Sequence, residues 1–364
     1  MNESDYFNNK TYWRGPRDTV QGLVIKTFAL SSISLIAILG NVLVIAAVYR
    51  VPRMRTVTNY LIVNLATADL LYVLIDVPPF YLEIFNMFEW CLETYIRSIY
   101  FCKVVNFGQC LLVSTSVLTL ACIAADRYFA IVRPLKRILT KPVFRWLVPV
   151  VWVISAGLAT PILYAYRVIN YQGYFVCSEE WGPGLDVVQT SRIYTLVLFV
   201  VGYCVPFVVM ATMYSIMFTK LWVRKIPASA CSRSCQIVES RKKAVIMLIT
   251  VFVVFVCCWL PVQVLGFMWN YGEYDIPAPA LFACKILMRV HAATSPCIYA
   301  AFSENFRNAF KMVILQLCCC WKESVKSRLI LEMANKVSFS RSRSETRSTI
   351  KYLYNRRDSG ARQL

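Results

Sequence analysis

LTLACIAADRYFAIVRPLK, residues Leu118–Lys136, sets an adjacent acid and base, Asp126 and Arg127, directly against an apolar run. Reading back from Asp126, the 22 residues Val104–Ala125 carry no charged side chain. At ~1.5 Å rise per residue that helix crosses the ~30 Å hydrocarbon core of a bilayer, and the charged pair falls where it leaves the lipid. The same gap in charge recurs along the chain. Thr27–Tyr49, Trp146–Tyr166, Ile193–Thr219 and Ala244–Gly272 contain no Asp, Glu, Lys or Arg. Two further segments, roughly 56–82 and 277–302, are apolar apart from Asp69, Asp76, Lys285 and Arg289. The pattern predicts an all-α membrane protein, a bundle of seven spanning helices. Composition agrees: 58% of the 364 residues are hydrophobic and only 16% charged, too few charges for a soluble chain of this length.

Lysine and arginine set the expected orientation. The turns after the first, third and fifth segments hold 16 cations, Arg50 to Lys243, against two acids, Asp126 and Glu239. The opposite loops (83–103, 164–192, 269–285) hold eight acids and five bases. The basic set belongs in the cytoplasm, which puts the N-terminus outside a plasma membrane. The net charge of +19 is thus a topology signal, and no nucleic-acid partner is expected. Asn2 and Asn9 head glycosylation sequons that agree with an extracellular N-terminal segment, 1–25. The spanning domain is 26–302, an amphipathic membrane-surface helix 303–320, and a disordered cytoplasmic tail 321–364. An unpaired charge in lipid is costly. Asp76 lies two turns outward of Asp69, and Arg289 lies at similar depth on the last segment, so an Asp76–Arg289 ion pair is expected.

The ordered marks along the segments carry a resemblance. GNVLV holds Asn41, NLATADLL holds Asp69, and ADRYFAIVRPL holds Asp126, Arg127 and Tyr128. Trp152 follows, then Pro206 in YCVPF, CWLP with Trp259 and Pro261, SPCIY with Pro296 and Tyr299, and FSENFRNAF. Over about residues 25–320 the chain resembles the rhodopsin-like (class A) G-protein-coupled receptors. The resemblance implies that Asp126 neutralises Arg127 while the cytoplasmic mouth is closed. Freed, Arg127 would engage a heterotrimeric G protein and Tyr214, and Leu135 would dock on that partner. An ordinary juxtamembrane salt bridge is the plainer alternative for Asp126–Arg127. Pro206, Pro261 and Pro296 each remove a helical hydrogen bond and kink a span. Trp259 and Phe255 resemble the toggle that carries a ligand-driven shift inward, with core packing as the alternative. The family's disulfide maps onto Cys102 and Cys177. Cys91 and Cys284 lie toward the outer side with no pairing assigned. Cys318, Cys319 and Cys320 suit palmitoylation beside the bilayer, and the hydroxyl-rich strip 338–349 suits receptor kinases and arrestin.

The ligand is harder to read. Gln109 stands where amine receptors of this family carry an aspartate, and a neutral amide does not anchor an ammonium by charge. Arg289 stands where opsins carry the retinal lysine. VCSEEW instead puts Glu179 and Glu180 after the bridging cysteine, as in receptors for amidated neuropeptides of the RFamide, neuropeptide FF, orexin and neuropeptide Y group. An acidic rim would attract a cationic peptide, and Gln109 offers both donor and acceptor to a neutral amidated end. A solvated loop face is the alternative for the two glutamates. Asp76, Trp259, Gln263, Lys285 and Arg289 complete the expected ligand-facing set. The rival functions are a receptor for a small molecule or for light, and a seven-helix transporter, although no internal repeat is found. The single histidine, His291, excludes HExxH and most hydrolytic constellations, so neither an enzyme nor a cofactor is expected. Many class A receptors hold sodium with Asp69, Ser116 and polar groups of the seventh helix. Here that helix supplies His291 and Ser295, an imidazole is a poor ligand for a hard cation, and weak sodium modulation is expected.

Overall fold

The computed structural model describes residues 19–85, 99–134, 140–171, 174–182, 184–222, 232–271 and 277–317. Among the described residues seven long helices carry the first compact unit, which extends to Phe310. They are α1 (Val20–Arg50), α2 (Val57–Ile84), α3 (Ile99–Val132), α4 (Lys141–Ala165), α5 (Val187–Trp222), α6 (Ser232–Tyr271) and α7 (Ala278–Phe302). A further helix, α8, occupies 304–317. α1–α6 are long and apolar enough to cross a membrane. α7 is less apolar because Lys285 and Arg289 sit in its first half. Between α4 and α5 lies an antiparallel hairpin, β1 (Tyr166–Tyr171) and β2 (Tyr174–Glu179), with Val168 opposite Cys177.

Several ends are set by local chemistry. Thr19, Thr56 and Asp186 each accept a hydrogen bond from the backbone N–H three residues on, capping α1, α2 and α5. The Asp186 cap starts α5 at Val187, six residues before the charge-free run begins. α6 likewise begins twelve residues before its apolar run, because nothing in SRSCQIVESRKK breaks a helix. Among the described residues two π turns occur, one opening α3 at Ile99–Val104 and one interrupting α5 at Val200–Cys204. The second lies just before Pro206, where a missing N–H already weakens the helix.

Burial is inverted relative to a water-soluble bundle. Val24, Phe28, Leu35 and Leu39 on α1, and Trp146, Val153 and Ile154 on α4, are exposed. Asn41, Asp69, Asp76, Ser116, Arg289, His291 and Ser295 are buried between helices. In lipid such polar groups find partners only inside the bundle. Asn41 illustrates the rule. Pro296 has no N–H, so the carbonyl of Ala292 lacks its helical partner, and Asn41 Nδ2 donates to it at 2.9 Å. The approach needs a glycine, because a Cβ on Gly40 would lie 2.8 Å from the Pro296 ring. α1 and α7 are thereby locked at the α7 kink.

Candidate functional site

One end of the bundle carries the disulfide. Cys102, in the first turn of α3, is bonded to Cys177 of β2 with an S–S length of 2.03 Å. This ties the hairpin to α3. Below it lies a cavity of about 250 Å³, lined by Asn106, Gln109, Ser114, Trp259, Gln263 and Met288 among others. Glu179, at the end of β2, accepts a hydrogen bond from Trp181 Nε1 at 2.7 Å. The Glu180 amide N–H donates to the Ala165 carbonyl at 2.7 Å.

Beside the cavity runs a chain of charges between α2 and α7. Arg289 forms an ion pair with Asp76, and both side chains are only 3% exposed. The other Asp76 oxygen accepts from Gln109 Nε2 at 2.6 Å. The Arg289 guanidinium lies over the Phe80 ring, 3.9 Å from its centroid. One turn along α7, Lys285 pairs with Glu83 at 2.5 Å. The ion pair inferred from the cost of a bare charge in lipid is therefore present. Asp76, Lys285 and Arg289 stand beside the cavity rather than in its described wall.

From the cavity an aromatic series leads toward the opposite end. Trp259 stacks on Phe255 at 5.8 Å, Phe255 meets Phe207 at 5.7 Å, Phe207 meets Phe252 at 5.5 Å, and Phe252 meets Tyr214 at 5.6 Å. Beside it His291 packs edge-on against Phe255 at 4.6 Å. Its Nε2 lies 3.5 Å from Asp69 Oδ1, which also accepts from Ser116 at 3.0 Å. Ser295 turns back and donates to the His291 carbonyl at 3.2 Å, away from Asp69.

At the far end Arg127 Nη2 lies 2.6 Å from Asp126 Oδ2 and also donates to Thr58 Oγ1. Thr58 in turn donates to Asp126 at 2.5 Å, so α2 joins the pair. Lys220 of α5 donates to the Val132 carbonyl at 2.7 Å and caps the end of α3. The Tyr214 hydroxyl is buried with no hydrogen-bond partner among the described residues. Trp152 Nε1 donates to Asn64, and Asn64 to Thr119, tying α4, α2 and α3.

Comparison with known proteins fits this arrangement. The family described as 7 transmembrane receptor (rhodopsin family) matches residues 40–299. The chain belongs to that family. It is a multi-pass membrane receptor and not an enzyme. It is similar to the RYamide receptor of Drosophila melanogaster, 32% identical over 314 residues, 82% of this chain and 65% of that one. It thus spans just under two thirds of that relative's length. The QRFP-like peptide receptor of Branchiostoma floridae is 32% identical over 295 residues, covering 78% of this chain and 75% of its own. The tachykinin-like peptides receptor 86C of Drosophila melanogaster is 33% identical over 332 residues, 86% of this chain and 63% of its own.

The receptor structure gathers Gln109, Trp259 and Gln263 at the cavity, brings Asp69 together with Ser116 and His291, and leaves Asn41 at the α7 kink on the Ala292 carbonyl. It leaves Glu179 and Glu180 at the hairpin, and Tyr128 meets Phe129 edge-on at 5.5 Å. Cys284 is a buried free thiol. Asn2, Asn9, Cys91, Leu135, Cys318, Cys319, Cys320 and the strip 338–349 lie outside the described residues. Thr58 and Glu83 carry contacts that sequence reading missed. A polar residue near a helix end has no mark that separates a partner from a solvated side chain. For Glu83 the one available signal was the need of Lys285 for an opposite charge.

Proposed function

We propose that this receptor binds an extracellular peptide with an amidated C-terminus and passes the signal to a heterotrimeric G protein. The observation that carries the reading is the cavity, whose described lining includes Asn106, Gln109 and Gln263 and no ionised side chain. At about 250 Å³ it is smaller than the ~300–1,000 Å³ pockets that enclose drug-sized ligands. It suits the end of a longer ligand, and a neutral polar end in particular. The names of the relatives, RYamide and QRFP-like peptide receptors, point to the same ligand class. The basic turns support an orientation with the disulfide end outside and the Arg127 end in the cytoplasm of a cell bounded by a plasma membrane.

In this reading the peptide end presses on Trp259. The shift passes along the aromatic series, the Pro261 kink amplifies it, and α6 moves at its cytoplasmic end. Arg127 then exchanges Asp126 and Thr58 for the G protein and the Tyr214 hydroxyl, which is left unpartnered until then. Leu135, palmitoylated Cys318–Cys320, glycosylated Asn2 and Asn9, and a tail phosphorylated for arrestin complete the proposal. The test is agonist-dependent nucleotide exchange in membranes expressing the full chain, challenged with short peptides ending in Arg-Tyr-amide and Arg-Phe-amide. Exchange should rise with amidated peptide in the wild type and not in Arg127→Ala. A full panel of such peptides without effect would overturn the reading.

A further inference from the structure

Near the disulfide end, α5 and α6 are tied together by polar side chains. Asn270, one residue from the end of α6, reaches across to α5. Its Nδ2 donates to Thr195 Oγ1 at 3.1 Å, and its Oδ1 accepts from the Ser191 hydroxyl at 3.2 Å. The same Nδ2 donates to the Gly266 carbonyl at 3.1 Å, which steadies the amide on its own helix. The last carbonyls of a helix have no partner within it, and Arg192 of α5 supplies one, its Nε donating to the Asn270 carbonyl at 2.9 Å. Tyr271 returns the tie. Its hydroxyl donates to the Arg192 carbonyl at 2.8 Å, and the Arg192 guanidinium lies 5.4 Å from the centre of its ring. Ser191 is buried at this seam, whereas Arg192 and Tyr271 are exposed.

Among the described residues the two helices share less further along. Phe199 meets Phe267 edge-on at 4.7 Å, and the Tyr203 hydroxyl donates to the Val256 carbonyl at 3.4 Å, the long limit of a hydrogen bond. At the opposite end Lys242 Nζ lies 5.1 Å from the centre of the Trp222 ring. The π turn of α5 and Pro261 of α6 both fall between the tie and that end, so each helix has its weakened ladder below a tied segment. A hydrogen bond weakens steeply with misalignment, so a seam of four of them resists sliding, whereas ring contacts tolerate a range of offsets. We infer that Ser191, Arg192, Thr195 and Asn270 are positioning residues that pin the disulfide end of α6 to α5, and that this seam stays closed in the signalling state while α6 turns below it. The inference rests on the reading that α6 moves at its cytoplasmic end. It adds which joint between the two helices does not open.

The test locks each end of the seam in turn, in membranes carrying the full receptor, and measures nucleotide exchange driven by a synthetic hexapeptide ending in Arg-Tyr-amide. Ser191→Cys with Asn270→Cys, oxidised to a disulfide and checked by loss of free thiol, should leave maximal exchange at the level of the two single variants. Trp222→Cys with Lys242→Cys, joined by a short bis-thiosulfonate linker, should abolish it. Exchange lost on oxidation of the first pair but kept in its singles overturns the pin. Exchange that survives the second link overturns the swing of α6 itself, which separates the two readings. Loosening the seam needs no link and carries the test if the first disulfide does not form. Per receptor in the membrane, Asn270→Ala should lower maximal exchange roughly threefold or more, while peptide binding to uncoupled receptor stays unchanged. Asn270→Asp still accepts from the Ser191 and Thr195 hydroxyls and should restore much of the loss. An undiminished maximum in Asn270→Ala overturns the inference. If the peptide does not activate the wild type, the same variants are read on the basal exchange of the Asp126→Asn receptor, with the same order expected.

Discussion

Two arginine–aspartate pairs stand near opposite ends of this receptor, and their surroundings divide their work. Asp76 and Arg289 are 3% exposed, lie on different helices, and share their contacts with Gln109 and Phe80. Asp126 and Arg127 are neighbours in sequence, and the arginine side chain is 31% exposed. Breaking the first leaves a charge in a dry interior, so it acts as a permanent staple between α2 and α7. Breaking the second leaves Arg127 within reach of water or a partner, and only Thr58 must let go on α2. Identical chemistry thus serves as structure where it is sealed and as a switch where it is open.

The sharpest way to break this contrast is to remove one charge from each pair. Asp76→Asn alone should cost about 3–5 kcal/mol, because Arg289 stays buried and unpaired. Purified receptor should lose thermal stability accordingly, and the double variant Asp76→Asn with Arg289→Gln should recover much of the loss. A single variant as stable as the double would end the staple interpretation. Next in size is the clasp at the α7 kink. Asn41→Ala should cost about 1–3 kcal/mol by orphaning the Ala292 carbonyl. In a Pro296→Ala background, where the helix can satisfy that carbonyl itself, the penalty should shrink. Equal penalties in the two backgrounds would show that the clasp does not answer the proline.

At the open pair the effects should be smaller and should appear in signalling. Asp126→Asn weakens a pair whose arginine is 31% exposed and whose attraction is about 1 kcal/mol, so basal nucleotide exchange should rise roughly fivefold with little change in stability. Thr58→Ala should raise it less. A large fall in thermal stability for Asp126→Asn would place this pair with the sealed one. The smallest effect concerns the contact between the two. Asp69 is already engaged by Ser116 and faced by His291, and Ser295 turns away. Agonist affinity should therefore stay flat across sodium chloride concentrations at fixed ionic strength, and a strong sodium response would show that His291 yields the site.

What could be read in advance follows from how costly each error is. Charge-free runs marked the helices because charge in lipid is expensive, and the same cost made the Asp76–Arg289 pair inferable. Helix ends were less legible. Asp186 starts α5 early by capping it, and α6 continues through charged residues that are good helix formers. The aromatic series was only partly visible. Trp259 stood in CWLP, and Phe255 and Tyr214 were marked by the family resemblance, whereas no role was read for Phe207 and Phe252, two of 21 phenylalanines. Thr58 could not be found, since its role depends on where α2 meets α3. The orientation of Gln109 also lay beyond sequence, because an amide reads alike until its neighbour is known.

The π turn in α5 acts as a one-residue insertion that has been kept in phase. Five turns of a regular helix take ~18 residues, so the buried Val187 and Ser191 project onto Val205 and Val209. Those two are exposed, and the residues one step further, Pro206 and Met210, are buried. Everything from Pro206 to Leu221 is therefore offset by ~100° from the frame in which the helix begins. Deleting one residue from 200–204 would let the helix become regular with Pro206 five turns from Val187, so Phe207 and Tyr214 would keep their inward face. Inserting one residue between the turn and Phe207 would instead carry both side chains to the lipid-facing positions now held by Val208 and Ser215, and would disconnect the aromatic series in a way no point substitution does.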